Sequence, residues 1–425
     1  MKYWISKNNM KKETDIIWDA VVVGGGPAGM MAAGRAGELG KKVLLLEKNP
    51  GLGKKLLITG GGRCNLTNNR PDIRDMLAKY KGSSQFLFSA FSQFGVKETL
   101  DFFRTHGLET KEEAEGRVFP VSNRAWSVWN TLEKYLKNSG VEIKTGAEVI
   151  GITKDKRLNV IRIKLKNKTQ ITAKSCIVAT GGVSHPETGS TGEGFAWLKA
   201  LGQSVVENNF ALVPLNIKDN WAKKLAGVSL KDIKLSVWQN GKKYDAQNGK
   251  ILFTHFGVSG PTVLNMSREV GELLPYGEVI IALDLFPKLD NAALKEKIQK
   301  LLIENSNKKI KNTLGSIVPA ALAPAILKLC GIEGETFNHS VRAEERKKLI
   351  ALLKSVFLHV KSLSAEKAVV SSGGAALTEV NFKTMESRAI PGIYLVGDVL
   401  NINRPSGGYS LQICWTTGYV AGSNC

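Results

Sequence analysis

Cysteine and histidine are both scarce in this chain of 425 residues, with five of each. Cys64, Cys176, Cys330, Cys414 and Cys425 form no C-x-x-C pair, which argues against a dithiol relay and against a disulfide framework. No Cys/His group has zinc-ligand spacing, so no metal is expected. Long apolar runs are also missing. The longest, 317–327, is too short for a bilayer and contains Pro319 and Pro324. Residues 1–18 are polar and basic and lack the apolar core of a signal peptide. The expectation is a soluble protein of the reducing cytoplasm, without a membrane partner. Acidic residues are in deficit as well, 38 against 59 Lys+Arg, a formal charge of +21. Such a surplus suits anionic partners: nucleic acid, lipid headgroups or a phosphate-bearing cofactor. Its lysines are spread along exposed strands, eight Lys/Arg in 154–174 and eight Lys in 218–250. Aromatics are not interleaved among them, which argues for solvated faces rather than a nucleic-acid site.

Apolar content (43%) and charge (23%) are ordinary for a globular protein, and the length suits two or three domains. Asp19–Val23 reads as a buried parallel strand, a helix of small residues follows to Gly40, and 42–47 reads as a second buried strand. Gly24-x-Gly26-x-x-Gly29 lies at the turn between them. Gly24 allows the tight turn, Gly26 lets a pyrophosphate approach the backbone, and Gly29 allows close helix–strand packing. Glu47 ends the second strand, where a carboxylate accepts hydrogen bonds from ribose hydroxyls. Residues 50–70 read as an extended Gly/Asn-rich loop, 97–106 and 124–138 as helices. Segments 141–144, 148–153, 161–166 and 175–179 read as strands. Short strands follow from about 207, with Asn240-Gly241 as a hairpin turn; 291–304 and 342–357 read as helices. A buried strand returns at 391–396 and ends in Gly397-Asp398, and a last helix starts near Gly408.

The far end decides between cofactors. FAD is long and needs a second strand end for its ribitol and flavin. Asp398 can hydrogen-bond a ribitol hydroxyl, and the helix start at Gly407-Gly408-Tyr409 can aim its positive dipole end at the flavin. A second nucleotide fingerprint does not occur, so NAD(P)H is expected only as a transient electron donor.

Beyond these features, VVVGGGPAGMMAA, GKKLLITGGGRCNLTN, GRVFPVS, ATGGVSHPETGSTGEG, LFTHFGVSGPTVLNMS and GGYSLQ resemble one family. It is the bacterial FAD-dependent oxidoreductase family that includes aminoacetone oxidases and bile-acid 3-dehydro-reductases. The resemblance implies an α/β fold: a doubly wound, Rossmann-like FAD domain of the glutathione-reductase type with an inserted β-barrel-like and helical domain. The expected boundaries are a basic extension at 1–18, the FAD domain at 19–206 and 364–425, and the insert at 207–363. Within the insert, 207–285 and 340–363 are expected to be strand-rich and 286–339 helical. Candidate cofactor contacts are Gly24, Gly25, Gly26, Pro27, Ala28, Gly29, Glu47, Lys48, Lys54, Gly61, Gly62, Arg63, Cys64, Asn65, Val149, Thr180, Gly181, Gly397, Asp398, Gly408 and Tyr409. His255, Arg117 and Tyr409 are the catalytic candidates, with His255 expected to line the flavin pocket as an acid–base group. Cys64 reads as a small buried residue rather than a reactive thiol. Two departures from the family pattern stand out. Glu193 replaces an Asp in TGDG, and Asn401, Asn403, Arg404 and Pro405 occupy a stretch that is commonly acidic. The implied activity passes hydride between a small organic substrate and flavin N5, with NAD(P)H or oxygen as the redox partner. A basic FAD protein acting on tRNA, and a flavoprotein with a binding or sensing role, are the alternatives.

Overall fold

The computed structural model describes residues 16–364 and 370–425. In chain order, the first part holds β1 (Ile17–Val23), α1 (Pro27–Glu38), β2 (Val43–Leu46), α2 (Lys54–Gly62), β3 (Thr67–Asn68), α3 (Ile73–Leu77), α4 (Ser84–Gln93), α5 (Val96–Thr105), β4 (Thr110–Glu113), β5 (Arg117–Pro120), α6 (Ala125–Asn138), β6 (Glu142–Lys144), β7 (Val149–Asp155), β8 (Val160–Leu165), β9 (Gln170–Val178), α7 (Glu193–Ala200) and β10 (Val205–Ala211). The middle holds β11 (Leu215–Ile217), α8 (Asn220–Lys223), β12 (Ser229–Gln239), β13 (Lys242–Thr254), β14 (Gly257–Ser259), α9 (Pro261–Leu273), β15 (Ile280–Asp284), α10 (Asn291–Glu304), α11 (Ile310–Leu314), α12 (Ala323–Cys330), α13 (Ala343–Lys354) and β16 (Val356–Leu363). β17 (Val370–Ala375), β18 (Ile393–Leu395) and α14 (Tyr409–Asn424) follow.

Two units result, one from residues up to Asn209 together with 371–425, the other from Phe210–Val370. The first is built on a sheet that has seven strands among the described residues. Its parallel part runs β6-β2-β1-β9, and β18 extends it along the far edge of β9. That edge is shared: β8 pairs antiparallel with the first half of β9, Ala173 and before, while β18 pairs with Cys176 to Val178. Ala20, Val21 and Val22 are fully buried in β1, as expected of a central strand covered on both faces. α1 and α14 pack together because glycines let them approach. A Cβ on Gly418 would lie 2.6 Å from the Ala28 carbonyl oxygen, and one on Gly422 2.4 Å from that of Ala32.

The second unit is a closed antiparallel barrel, β11-β14-β13-β12-β15-β16, with a helical segment between β15 and β16. Asn240 and Gly241 both have positive φ (50° and 75°), the type I′ turn that joins β12 to β13. Leu235, Val237, Ile251, Phe253, Ile281 and Leu358 share its apolar core with Val263, Met266 and Val270 of α9.

Three sequence expectations change. The stretch 50–70 is not simply a loop: Lys54–Ile58 are good helix formers around the buried Leu56, and the chain leaves helical geometry only at Thr59 (ψ 145°). The region 340–363 is not uniformly strand-rich, since α13 (Ala343–Lys354) occupies half of it. The first strand begins at Ile17, inside the expected 1–18 extension, whose residues 1–15 lie outside those described.

Candidate functional site

The nucleotide turn follows from steric limits. Gly24 has φ +107°, and a Cβ there would lie 2.5 Å from the Ala179 carbonyl oxygen. A Cβ on Gly29 would lie 1.9 Å from the Gly24 carbonyl oxygen. Both positions therefore need glycine to close β1 against α1. Gly26 differs, because a Cβ there meets nothing within 4 Å. Its glycine leaves open the space at the N-terminus of α1, where Pro27 stands at the first helical position, followed by Ala28. Free N–H groups and the positive dipole end of α1 point there, which suits a pyrophosphate. Glu47 is 8% exposed; Oε2 accepts from Gly25 N at 2.8 Å, and Oε1 accepts from Asn49 N and Nδ2. With about four lone-pair sites, the carboxylate retains capacity for ribose hydroxyls.

Around this turn, Lys48 Nζ donates to Glu193 Oε1 (2.5 Å) and Thr191 Oγ1 (2.9 Å), so the TGEG departure supplies its ion-pair partner. Lys54 Nζ donates to Asn49 Oδ1 at 3.4 Å. Val149 is buried at the start of β7. Gly181 takes φ +76° beside Ser190. Thr180 Oγ1 is buried without a hydrogen-bond partner among the described residues.

At the end of β18, Gly397 N donates to Thr417 Oγ1 of α14. Asp398 is clamped by two cations: Oδ1 by the Arg404 guanidinium and Oδ2 by Lys55 Nζ at 3.5 Å. Burial pushes the Asp398 carboxyl up, but Arg404 and Lys55 outweigh it and hold its pKa below the usual value. Arg404 has a side chain only 1% exposed and also donates to Ser410 Oγ and the Ile402 carbonyl. The departure from the acidic family pattern is thus a buried ion pair. Lys55 continues to Ser184 Oγ (2.6 Å), tying α2 to the loop after β9.

The motifs GGGRCNLTN, GRVFPVS and GGYSLQ meet at one place. β3, β5 and β4 form a small antiparallel sheet, with Thr67 opposite Val118 and Asn68 opposite Arg117. Gly407 and Gly408 lie on it: a Cβ on Gly408 would stand 2.4 Å from the Thr67 carbonyl. With its amide oriented to suit its neighbours, Asn65 donates to the carbonyls of Thr67 and Val118 and accepts from Gly408 N at 3.1 Å. Asn68 Nδ2 donates to the Glu115 and Gly407 carbonyls, while its Oδ1 is buried without a partner among the described residues.

Gly60, Gly61 and Gly62 are exposed with φ between +57° and +83°, and nothing lies within 4 Å of a Cβ on Gly61. Cys64 is fully buried, and burial raises its thiol pKa to about 12. Arg63 is held by its neighbours. Its guanidinium pairs with Glu113, bonds Asn123 Oδ1 and stacks 4.1 Å from the Phe119 ring. Arg117 is likewise engaged locally, by the Ala114 carbonyl (3.0 Å) and Glu115 (3.6 Å). The arginine in contact with Tyr409 is instead Arg70, whose Nε donates to the phenol oxygen at 2.9 Å. Tyr409 is 5% exposed and packs edge-on against Tyr80. His255 belongs to the barrel unit, exposed in the turn between β13 and β14 and edge-on to Phe256. Lys55, Asn68, Arg70 and Arg404 have no role assigned from the sequence, although Lys55 and Asn68 lie within the motif GKKLLITGGGRCNLTN, Arg70 two residues past its end, and Arg404 in the stretch that departs from the family pattern.

The open face at Gly26 and the orphaned Thr180 and Asn68 oxygens fit a dinucleotide laid across this unit. The sequence profile of the HI0933-like protein Rossmann domain matches residues 18–424. The chain belongs to the HI0933-like family. It is an FAD-dependent oxidoreductase with a Rossmann-type FAD-binding domain. Among its relatives, the 3-dehydro-bile acid delta(4,6)-reductase of Clostridium scindens is 32% identical over 406 residues, 94% of this chain and 97% of the relative. The ribosomal RNA dihydrouridine synthase of Escherichia coli is 27% identical over 409 residues, 95% and 96%. Among solved structures, the 3-ketosteroid delta1-dehydrogenase of Sterolibacterium denitrificans shares the fold at a TM-score of 0.56 and 12% identity, covering 96% of this chain and 98% of that one. No helix among the described residues is long and apolar enough to cross a membrane.

Proposed function

We propose that this HI0933-like protein reduces a carbon–carbon double bond conjugated to a carbonyl, with NAD(P)H as the electron source. One observation carries the reading. The names of two relatives that each align with more than nine-tenths of the chain share that chemistry. An unsaturated 3-dehydro bile acid carries its double bonds next to a ring ketone. Making dihydrouridine saturates a uracil double bond next to a ring carbonyl. The shared requirement is a hydride donor over one carbon and a polar grip on the carbonyl oxygen.

Bound FAD supplies the hydride. The chain's residues bind and orient: the α1 N-terminus and Gly26 hold the pyrophosphate, Glu47 the ribose, and Asp398 with Gly408 the ribitol and flavin end. Arg404 and Lys55 keep Asp398 ionised and fixed. His255 is proposed as an acid–base group and Arg117 as a cation for acidic ligands.

A small enone acid is the favoured substrate class, in keeping with the more similar of the two relatives. The surplus of 59 Lys+Arg over 38 Asp+Glu supports a second reading, a uracil within RNA. The test is anaerobic. Protein bleached with NADH or NADPH is mixed with a 4-en-3-one bile acid or with uridine-containing RNA, and products are sought by a mass gain of two hydrogens. RNA turnover should fall steeply with salt, while enone turnover should not. Reoxidation by oxygen alone, with neither class reduced, overturns the proposal. His255→Ala should retain FAD and slow the reoxidation by substrate about 100-fold, the usual worth of acid–base help; an unchanged rate removes His255 from the mechanism.

A further inference from the structure

The contact between Arg70 and Tyr409 fixes the direction of a proton. A guanidinium has five N–H donors and no acceptor. At 2.9 Å from Arg70 Nε, the Tyr409 oxygen is therefore the acceptor, and its own O–H points elsewhere. No acceptor for that O–H occurs among the described residues; the Tyr80 hydroxyl bonds the Tyr409 main-chain carbonyl. Arg70 is in a similar position. Nε is its one side-chain hydrogen bond among the described residues, and no carboxylate there pairs with it, so its terminal N–H groups are uncommitted. Arg63, Arg117 and Arg404 are engaged instead: Arg63 by Glu113 and Asn123, Arg117 by Ala114 and Glu115, Arg404 by Asp398 and Ser410.

A half-buried cation and a buried phenol thus stand together, each with hydrogens that find no acceptor among the described residues. They sit on a packed, hydrogen-bonded floor. Tyr409 opens α14 after Gly407 and Gly408, which lie on β3, and Arg70 N is bonded to the Asn68 carbonyl of the same strand. Both partners belong to the FAD unit.

We propose that Arg70 and Tyr409 form a donor pair that holds the carbonyl oxygen of the substrate, the atom on which negative charge develops when a conjugated double bond is reduced. Tyr409 touches the oxygen. Arg70 acts on it through its terminal N–H groups and on Tyr409 by orienting the phenol. Two donors fixed before the substrate arrives stabilise such an oxyanion without reorganisation. This inference rests on the proposed reduction of a carbonyl-conjugated bond, but its test does not need turnover.

The probe is para-chlorophenol, whose phenolate mimics the charged oxygen and perturbs the flavin spectrum when it binds. Wild-type holoenzyme should bind it more tightly as pH rises through the probe's own pKa. Arg70→Leu and Tyr409→Phe should each retain FAD and weaken the phenolate about 10- to 100-fold, the range expected for a hydrogen bond to a charged group. Arg70→Lys should restore part of the loss, which a merely structural arginine would not require. Phenolate binding that is absent in the wild type, or unchanged in both variants with FAD in place, overturns the pair. Intact phenolate binding with loss in the variants, but no reduction of any conjugated bond, leaves the pair standing and removes the proposed reaction instead.

Discussion

Single residues in this protein divide by whether a side chain would meet backbone or open space. Gly24 and Gly29 are confined by carbonyl oxygens at 2.5 and 1.9 Å, whereas Gly26 faces room for a ligand. Gly26→Val should therefore fold and yet emerge colourless, because its branched side chain fills the pyrophosphate space. The check is the flavin released by acid precipitation; a full complement of FAD from this variant would contradict the site. Asp398 gives a pH signature. Its folded pKa is depressed below 3.8 by Arg404 and Lys55, so its contribution to stability is complete above that value and is lost as pH falls through the folded one. Arg404→Leu should cost on the order of 3 kcal/mol near neutrality, as expected when a buried carboxylate loses its main partner. The gap between parent and variant should narrow below about pH 3.8 in urea denaturation series; a gap that persists unchanged to acid would mean the pair stabilises by packing alone.

Elements show which features the sequence could reveal. The β1–α1–β2 unit was readable because its chemistry is local: the turn glycines lie within six residues, and Glu47 closes the next strand. The type I′ turn at Asn240-Gly241 was readable for the same reason. By contrast, the Arg70–Tyr409 contact joins residues 339 apart, and Lys55 meets Asp398 across 343. Composition and periodicity hold no record of such pairings, so Arg117, adjacent to a recognisable motif, drew the attention that geometry gives to Arg70. The region 50–70 misled in another way, since its glycines suppressed the helical reading of Lys54–Ile58. Helix packing yields a further prediction. Gly418 of α14 stands 2.6 Å, at its would-be Cβ, from the Ala28 carbonyl of α1. Gly418→Leu must push these helices apart, costing at least the ~1–3 kcal/mol typical of overpacking. FAD affinity should fall with it, because α1 presents the phosphate site; a variant of undiminished affinity would show that α1 is positioned by β1 and β2 alone.

The molecule as a whole has two separate apolar cores, one in the FAD unit and one in the barrel unit. The cofactor's candidate contacts fall in the first. Saturating FAD at about 100 times its dissociation constant should add about 2.7 kcal/mol to that unit and leave the other unchanged. Scanning calorimetry of apo- and holoprotein should then show one transition moving and one fixed; a single transition shifting as a block would mean that the units unfold together.

The pairing of β9 with β18, and of α1 with α14, has a consequence for biosynthesis. The barrel unit, Phe210–Val370, is complete in sequence once β16 has left the ribosome, and its strands can close while translation continues. The FAD unit cannot. Its first 200 residues hold β1, α1 and β9, but the strand that completes the edge of β9 and the helix that covers α1 are made some 200 residues later. The nascent unit must therefore wait with an apolar face of α1 uncovered, and ribosome-bound chains of this length are where chaperone contact and cofactor capture should be concentrated.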